Sequence, residues 1–160
     1  MSAKPIIHTT GLTIEQKIAV SVLWNQEYPA QLILETLTDF DRYLSGLTGA
    51  EHFLYIEQPD EILGWAFKFS RDAEKWFAVI LDNSVHHKGI GSMLLNRLKQ
   101  GEQKLNGWVI DHDKYKKPNL ETYLSPIAFY LKNGFEVCKE IRMESPQLSA
   151  VKISWESGKL

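Results

Sequence analysis

One segment constrains this chain more than any other: Trp76-Phe-Ala-Val-Ile-Leu-Asp-Asn-Ser-Val-His-His-Lys-Gly-Ile-Gly-Ser92. Its first half is a run of aromatic and β-branched residues, the kind that fills a buried strand. Its second half is polar and broken by glycines. The residues after it place Ile90, Met93, Leu94, Leu98 and Leu105 on the stripe of an amphipathic helix. A strand that turns through glycines into a helix suits phosphate binding. Gly89 and Gly91 have no Cβ to keep a ligand at a distance. The first-turn N–H groups of the helix lack internal partners and carry partial positive charge. The spacing excludes two familiar loops. Position 94 is Leu, not the third glycine of a dinucleotide fingerprint, and no Gly-Lys-Ser/Thr follows for a Walker loop.

The rest of the chain surrounds this segment with short, closely spaced elements. Ile6–His8 is a short first strand. Thr13-Ile-Glu-Gln16 has the capping-box pattern and predicts a helix from Ile14 to about Asn25, with a break at Pro29. Apolar residues at Ile33, Leu37, Phe40, Leu44 and Leu47 predict a second helix, ended by Gly46 and Gly49. Then the period changes. His52–Glu57, Ile62–Phe69 and Trp76–Leu81 read as strands, and the short polar breaks between them imply an antiparallel meander. After the glycine helix come a strand at Trp108–Asp111, a polar loop at Lys114–Tyr123 and a short helix at Ser125–Asn133, stopped by Gly134. Phe135–Met143 and Ala150–Trp155 form a final strand pair. The predicted fold class is α/β (α+β), a mixed sheet of six to seven strands with about four helices, in the order β-α-α-β-β-β-α-β-α-β-β.

With 160 residues and no linker, repeat or low-complexity tract, residues 1–160 read as one domain with a core of about 6–155. Order is expected everywhere except the first few residues and Glu156–Leu160. The single cysteine, Cys138, lies in the apolar run Phe135–Cys138 and reads as a small core residue. With no disulfide possible within the chain, a reducing, cytoplasmic compartment is expected. No apolar run approaches the ~20 residues of a membrane span, and Met1–His8 does not read as a signal peptide. A net charge of −2 argues against a broad nucleic-acid face.

The segment His86-His-Lys-Gly-Ile-Gly91 resembles motif A of the GNAT acetyltransferases, Arg/Gln-x-x-Gly-x-Gly/Ala after the fourth strand. Ser125-Pro-Ile-Ala-Phe-Tyr-Leu-Lys-Asn-Gly-Phe135 resembles motif B, in which a helix carries a Phe/Leu-Tyr pair ahead of Gly-Phe. Phe129-Tyr130 and Gly134-Phe135 fit that spacing. The element order is similar to the GNAT fold from about Ile6 to Trp155. The tract from Trp108 to Trp155 also resembles a bacterial subgroup of the family, which adds no acceptor. The chain departs from the family pattern with His86 at the Arg/Gln position, His87 at a common Gly, Asn83 at a common Pro, and Tyr123 where Asn often precedes the motif B helix.

The resemblance implies an acetyl-CoA-dependent N-acetyltransferase that hands an acetyl group to a primary amine on a small molecule or peptide. Acetyl-CoA would be the co-substrate. Backbone groups of Val79, Ile80 and Leu81 would pair with its pantetheine arm, and those of His86, His87, Lys88, Gly89, Ile90, Gly91 and Ser92 would hold its pyrophosphate. Tyr130 would lie near the thioester sulfur and serve as general acid. In this fold the strand end at Asp111-His112-Asp113 opens onto the acceptor, so His112 is the candidate base and Asp111 its orienting partner. Adjacent ligand types on one strand cannot all face one ion, so no metal is expected. Trp24, Tyr28, Trp65 and Trp108 read as core and Lys114–Lys117 as a solvated loop. Glu27 and Glu35 are carboxylates able to meet a cationic acceptor. No nucleic acid or membrane partner is expected, and the chain would be a monomer or homodimer. The alternative is a non-catalytic acyl-CoA-binding module acting through a partner.

Overall fold

The computed structural model describes residues 6–58 and 61–158. The N-terminal part of the stretch read as no signal peptide, the Pro59-Asp60 break and the last two residues lie outside them.

Strand β1 (Ile6–Thr9) is followed by α1 (Ile14–Glu27) and α2 (Leu37–Ser45), with a 3-10 turn at Ala30–Leu32 between the helices. The capping box at the start of α1 is complete: Gln16 N–H donates to Thr13 Oγ1 at 3.1 Å, and Thr13 N–H donates to Gln16 Oε1 at 2.9 Å. Ile33 closes the 3-10 turn instead of opening α2, which starts behind the Thr36 cap. The hydroxyl of Thr36 takes an otherwise orphaned helix N–H, from Asp39, and so fixes the start four residues later than the apolar spacing suggests.

The meander follows as β2 (Thr48–Gln58), β3 (Glu61–Arg71) and β4 (Glu74–Leu81), antiparallel as expected. Helix α3 (Ile90–Lys99), β5 (Lys104–Val109), α4 (Ile127–Lys132), β6 (Glu136–Glu144) and β7 (Ser149–Glu156) complete the described elements. The seven strands form one sheet in the order β1-β2-β3-β4-β5-β7-β6. Every neighbouring pair is antiparallel except β4–β5.

Two expectations shift here. Leu105 belongs to β5, not to the helix stripe, and β5 begins at Lys104, ahead of Trp108. The cause is the end of α3. Gly101 has φ +78°, and the buried Lys68 of β3 donates to Leu98 C=O at 2.9 Å and Gln100 C=O at 3.3 Å. Lys68 also meets Glu102 at 2.9 Å. A cation on the last carbonyls of a helix satisfies orphan acceptors and complements the dipole. At the other end of the chain Glu156 closes β7 and Ser157 N–H donates to Gln103 C=O, so this part of the tail is held in place.

The sheet is covered on both faces. Helices α1 and α2 pack Val20, Leu23, Trp24 and Phe40 against Leu54, Trp65, Phe67 and Ile80. On the opposite face, Ile90, Leu94, Leu95 and Leu98 of α3 and Tyr130 of α4 pack on Phe53, Tyr55, Phe77, Leu105 and Ile153. Trp65 and Trp24 are therefore core residues, as read, while Trp108 is half-buried and stacks on Trp76 at 5.5 Å. Cys138 is only half-buried, on β6 at the sheet edge.

Candidate active site

Strands β4 and β5 are joined by a single parallel rung, Trp76 with Asn106. Phe77, the next residue, packs on the sheet face covered by α3 and α4. A Cβ on Gly107 of β5 would stand 2.8 Å from the Phe77 ring, so glycine is what lets the two strands meet at this base. Past that point the edge of β4 facing β5 has no strand partner among the described residues.

Which backbone groups face the gap follows from the β3–β4 register. Asp82 N–H donates to Leu63 C=O at 2.9 Å, and antiparallel pairs alternate between bonded and non-bonded rungs. Ile80 therefore spends its N–H and C=O on Trp65, while those of Val79 and Leu81 point into the gap. Of Val79, Ile80 and Leu81, only the first and last turn their backbone groups away from β3. His86 reaches back to this edge, its Nε2 lying 3.1 Å from Leu81 C=O.

The turn after β4 delivers the chain to α3. Val85 is buried and anchors it, and His87 (φ +63°) and Gly89 (φ +79°) both take the left-handed conformation. The family's preference for Gly at the first of these positions thus has a backbone reason. Gly89 caps α3 without a side chain, and the first intrahelical bond is Met93 N–H to Gly89 C=O. The N–H groups of Ile90, Gly91 and Ser92 meet no acceptor among the described residues, which is the arrangement a pyrophosphate needs. The two glycines have different uses. A Cβ on Gly89 would meet nothing within 4 Å, so it faces open space. A Cβ on Gly91 would lie 2.8 Å from the Phe129 ring of α4, so Gly91 serves helix packing, not ligand approach.

Tyr130 is 6% exposed, and its ring packs edge-on to Phe77 and Phe135. Its hydroxyl has no hydrogen-bond partner among the described residues. Yet it is not one of the three fully enclosed unpaired atoms, Trp76 Nε1, Asn106 Oδ1 and Ser154 Oγ, so what remains of its surface is open. Burial pushes the Tyr130 phenol well above its usual range, with a smaller push from Tyr123. Tyr123 is itself raised to about 12, by burial and then by the Glu27 charge, and Tyr28 is raised by burial and by Tyr123, Tyr43 and Tyr130. Three tyrosines and Glu27 thus share one region, drawn from α1, the loop before α4, and α4 itself.

The strand end at 111–113 is built otherwise than expected. Asp111 is held bidentately by Arg142 of β6, at 2.9 and 3.1 Å, and that guanidinium lowers its pKa. His112 Nδ1 accepts the Lys114 N–H at 3.1 Å. A neutral ring in this state carries its proton on Nε2 and offers no free lone pair. The described contacts contain no Asp111–His112 hydrogen bond. Asp113 accepts Ser125 N–H at 2.7 Å and so braces the approach to α4.

The loop from 110 to 125 is solvated at Lys114 and Lys116, as read, but is tied down at several points. Ala30 N–H donates to Lys116 C=O at 2.8 Å, Ser149 N–H to Tyr115 Oη at 2.9 Å, and Lys117 Nζ lies 3.3 Å from Glu27 Oε1. It runs from the end of β5 to the end of α1, across the side of the gap covered by α1. No local motif in the sequence announces this grouping, because its members come from three separate stretches.

The family model described as Acetyltransferase (GNAT) domain matches residues 49–137, more than half of the chain. No curated protein matches. Among solved structures, an aminoglycoside 6'-N-acetyltransferase complexed with coenzyme A is 13% identical with a TM-score of 0.70, over 95% of this chain and 96% of that one. The aminoglycoside 6'-N-acetyltransferase from Enterococcus faecium is 13% identical with a TM-score of 0.69, over 95% and 96%. A GNAT superfamily phosphinothricin acetyltransferase from Sinorhizobium meliloti, in complex with AcCoA, is 13% identical with a TM-score of 0.64, over 94% and 88%. These likenesses concern the fold, and none singles out a subgroup. With the fold, the phosphate-ready helix start and the matched model in agreement, the chain belongs to the GNAT family of N-acetyltransferases.

Proposed function

We propose that this protein uses acetyl-CoA as co-substrate and transfers its acetyl group by direct attack of a primary amine, within one domain spanning residues 1–160. The observation that carries the reading is the one-rung junction between β4 and β5, which leaves the outward groups of Val79 and Leu81 beside the unclaimed N–H groups of Ile90, Gly91 and Ser92. A pantetheine arm would lie along the first pair and a pyrophosphate on the second set. Acetyl-CoA supplies an acyl carbon activated by a thiol leaving group.

The chain's own residues do the rest. An outward N–H on β4 can meet the charge that develops on the acyl oxygen, where a fixed donor in a dry site is worth more than water. Tyr130 is the proposed donor to the leaving sulfur. Its raised pKa keeps the phenol protonated throughout the working pH range, so the hydroxyl is always a donor. The amine attacks uncharged, a form in which a lysine-like amine exists in only about one molecule in 2,500 at pH 7; as the carbon–nitrogen bond forms the carbon–sulfur bond breaks, the sulfur takes the Tyr130 proton, and the proton shed by the nitrogen restores the phenol. Asp111 and His112 are committed to Arg142 and Lys114 N–H and take no part in this proposal. An unpaired tyrosine hydroxyl at the packed edge of the gap favours the enzyme over a non-catalytic acyl-CoA module.

Thermal unfolding with CoA or acetyl-CoA, against ATP and NAD, tests the co-substrate. At ~100 times the dissociation constant the gain is about 2.7 kcal/mol, a rise in Tm of roughly 5–10 °C. Tyr130→Phe should keep that shift and lower kcat by about 100-fold or more. No shift with either CoA species would remove the co-substrate assignment. An unchanged kcat would remove Tyr130.

A further inference from the structure

Glu27 is an expensive residue. It is 7% exposed, and it is the last residue of α1, where the helix dipole disfavours an anion. No basic residue lies in the last turn of α1 to offset it. Glu27 Oε2 accepts Gln26 Nε2 and Asn83 N–H, both at 2.9 Å. Oε1 has only Lys117 Nζ, at a long 3.3 Å, with the Lys117 side chain 11% exposed. The Asn83 bond ties this carboxylate to the turn that leads from β4 to the phosphate-ready helix. Tyr123 lies near enough to feel its charge and Tyr28 near enough to feel Tyr123, and the hydroxyls of both have no hydrogen-bond partner among the described residues.

We propose that Glu27 is the docking point for a positive charge of the acceptor other than the amine that reacts, an alkylammonium group, and that Lys117 holds this place until an acceptor displaces it. The ion pair spans the face of the gap opposite α3 and α4, between the end of α1 and the loop that leaves β5. An ammonium entering there meets a carboxylate with one weakly filled oxygen. Lys117 is the natural stand-in, since its head is itself a primary ammonium on an alkyl chain. The arrangement selects cationic amines over neutral or anionic molecules and rests on the N-acetyltransferase reading above.

The test uses n-butylamine hydrochloride as the probe, with 1-butanol and sodium butyrate as neutral and anionic controls, on protein saturated with CoA. Lys117→Met removes the competing cation with a side chain of similar length. Lys117→Met/Glu27→Gln also removes the receiver while keeping a carbonyl oxygen for Asn83 and Gln26. At ten times its dissociation constant the amine should raise the Tm of Lys117→Met by about 3–6 °C. The double variant should gain less than half of that, and the controls should give nothing in either. Equal response of the two variants to the amine, including no response in both, overturns the proposal. The prior shift on adding CoA alone reports separately on the co-substrate assignment, so the two readings fail by different signals.

Discussion

His52 of β2 is buried, and its Nδ1 accepts the Trp65 indole N–H at 3.0 Å. Burial lowers its pKa to about 4, against about 6.5 in an unfolded chain. Between these values the unfolded chain binds the proton and the folded one does not. The stability this adds is therefore complete above about pH 6.5 and is lost as pH falls toward 4, by roughly 2–3 kcal/mol at most. His52→Gln, which keeps an acceptor for Trp65, should flatten the fall in Tm between pH 7 and pH 4.5. An identical slope in both proteins would show that other groups set the acid limit. The two glycines of the phosphate turn diverge in the same measurable way. Gly91→Ala forces a methyl against Phe129 and should cost about 1–3 kcal/mol in denaturant unfolding. Gly89→Ala, in open space, should cost only about 1 kcal/mol, for its positive φ. The sequence shows both as glycines of one motif. It cannot show that one of them faces a ring from a helix more than thirty residues away.

Helix α3 is the element on which the site depends, because its first turn holds the candidate phosphate donors. Its far end is held by Lys68, which is 3% exposed. Lys68→Met should leave the last carbonyls of α3 and the Glu102 carboxylate without their cation, and we expect a loss of about 2–4 kcal/mol by denaturant titration. Local patterns made the start of this helix legible: a strand-rich run, glycines, then an apolar stripe. Its end was misplaced because Leu105 continues the spacing by chance, and the residue that stops the helix comes from a strand thirty residues earlier. The same contrast runs through the other elements. The Thr13–Gln16 capping box and the Gly134 stop are short-range signals, and they appear where expected. The 3-10 turn at Ala30–Leu32 is bound to Lys116 C=O, a partner far along the chain, and no local spacing could reveal it.

At the scale of the molecule, the order of strands and helices was readable because each period change is local and connections are short. Recognition of the candidate site was partial for the same reason. Gly89, Tyr130 and the outward residues of β4 sit inside contiguous motifs. Glu27, Lys117 and Tyr123 converge only through folding, and the Arg142 that claims Asp111 lies 31 residues further along the chain. The one-rung junction of β4 and β5 has a mechanical meaning as well as a chemical one. Five antiparallel interfaces make two plates, β1 to β4 and β5 to β6, and the seam between them has a single backbone rung, reinforced by the Trp76–Trp108 stack and the Lys104–Glu74 ion pair. A molecule lying in that seam would act as a splice. It would add to the gap the bridging that the strands themselves supply only at its base, at Trp76 and Asn106.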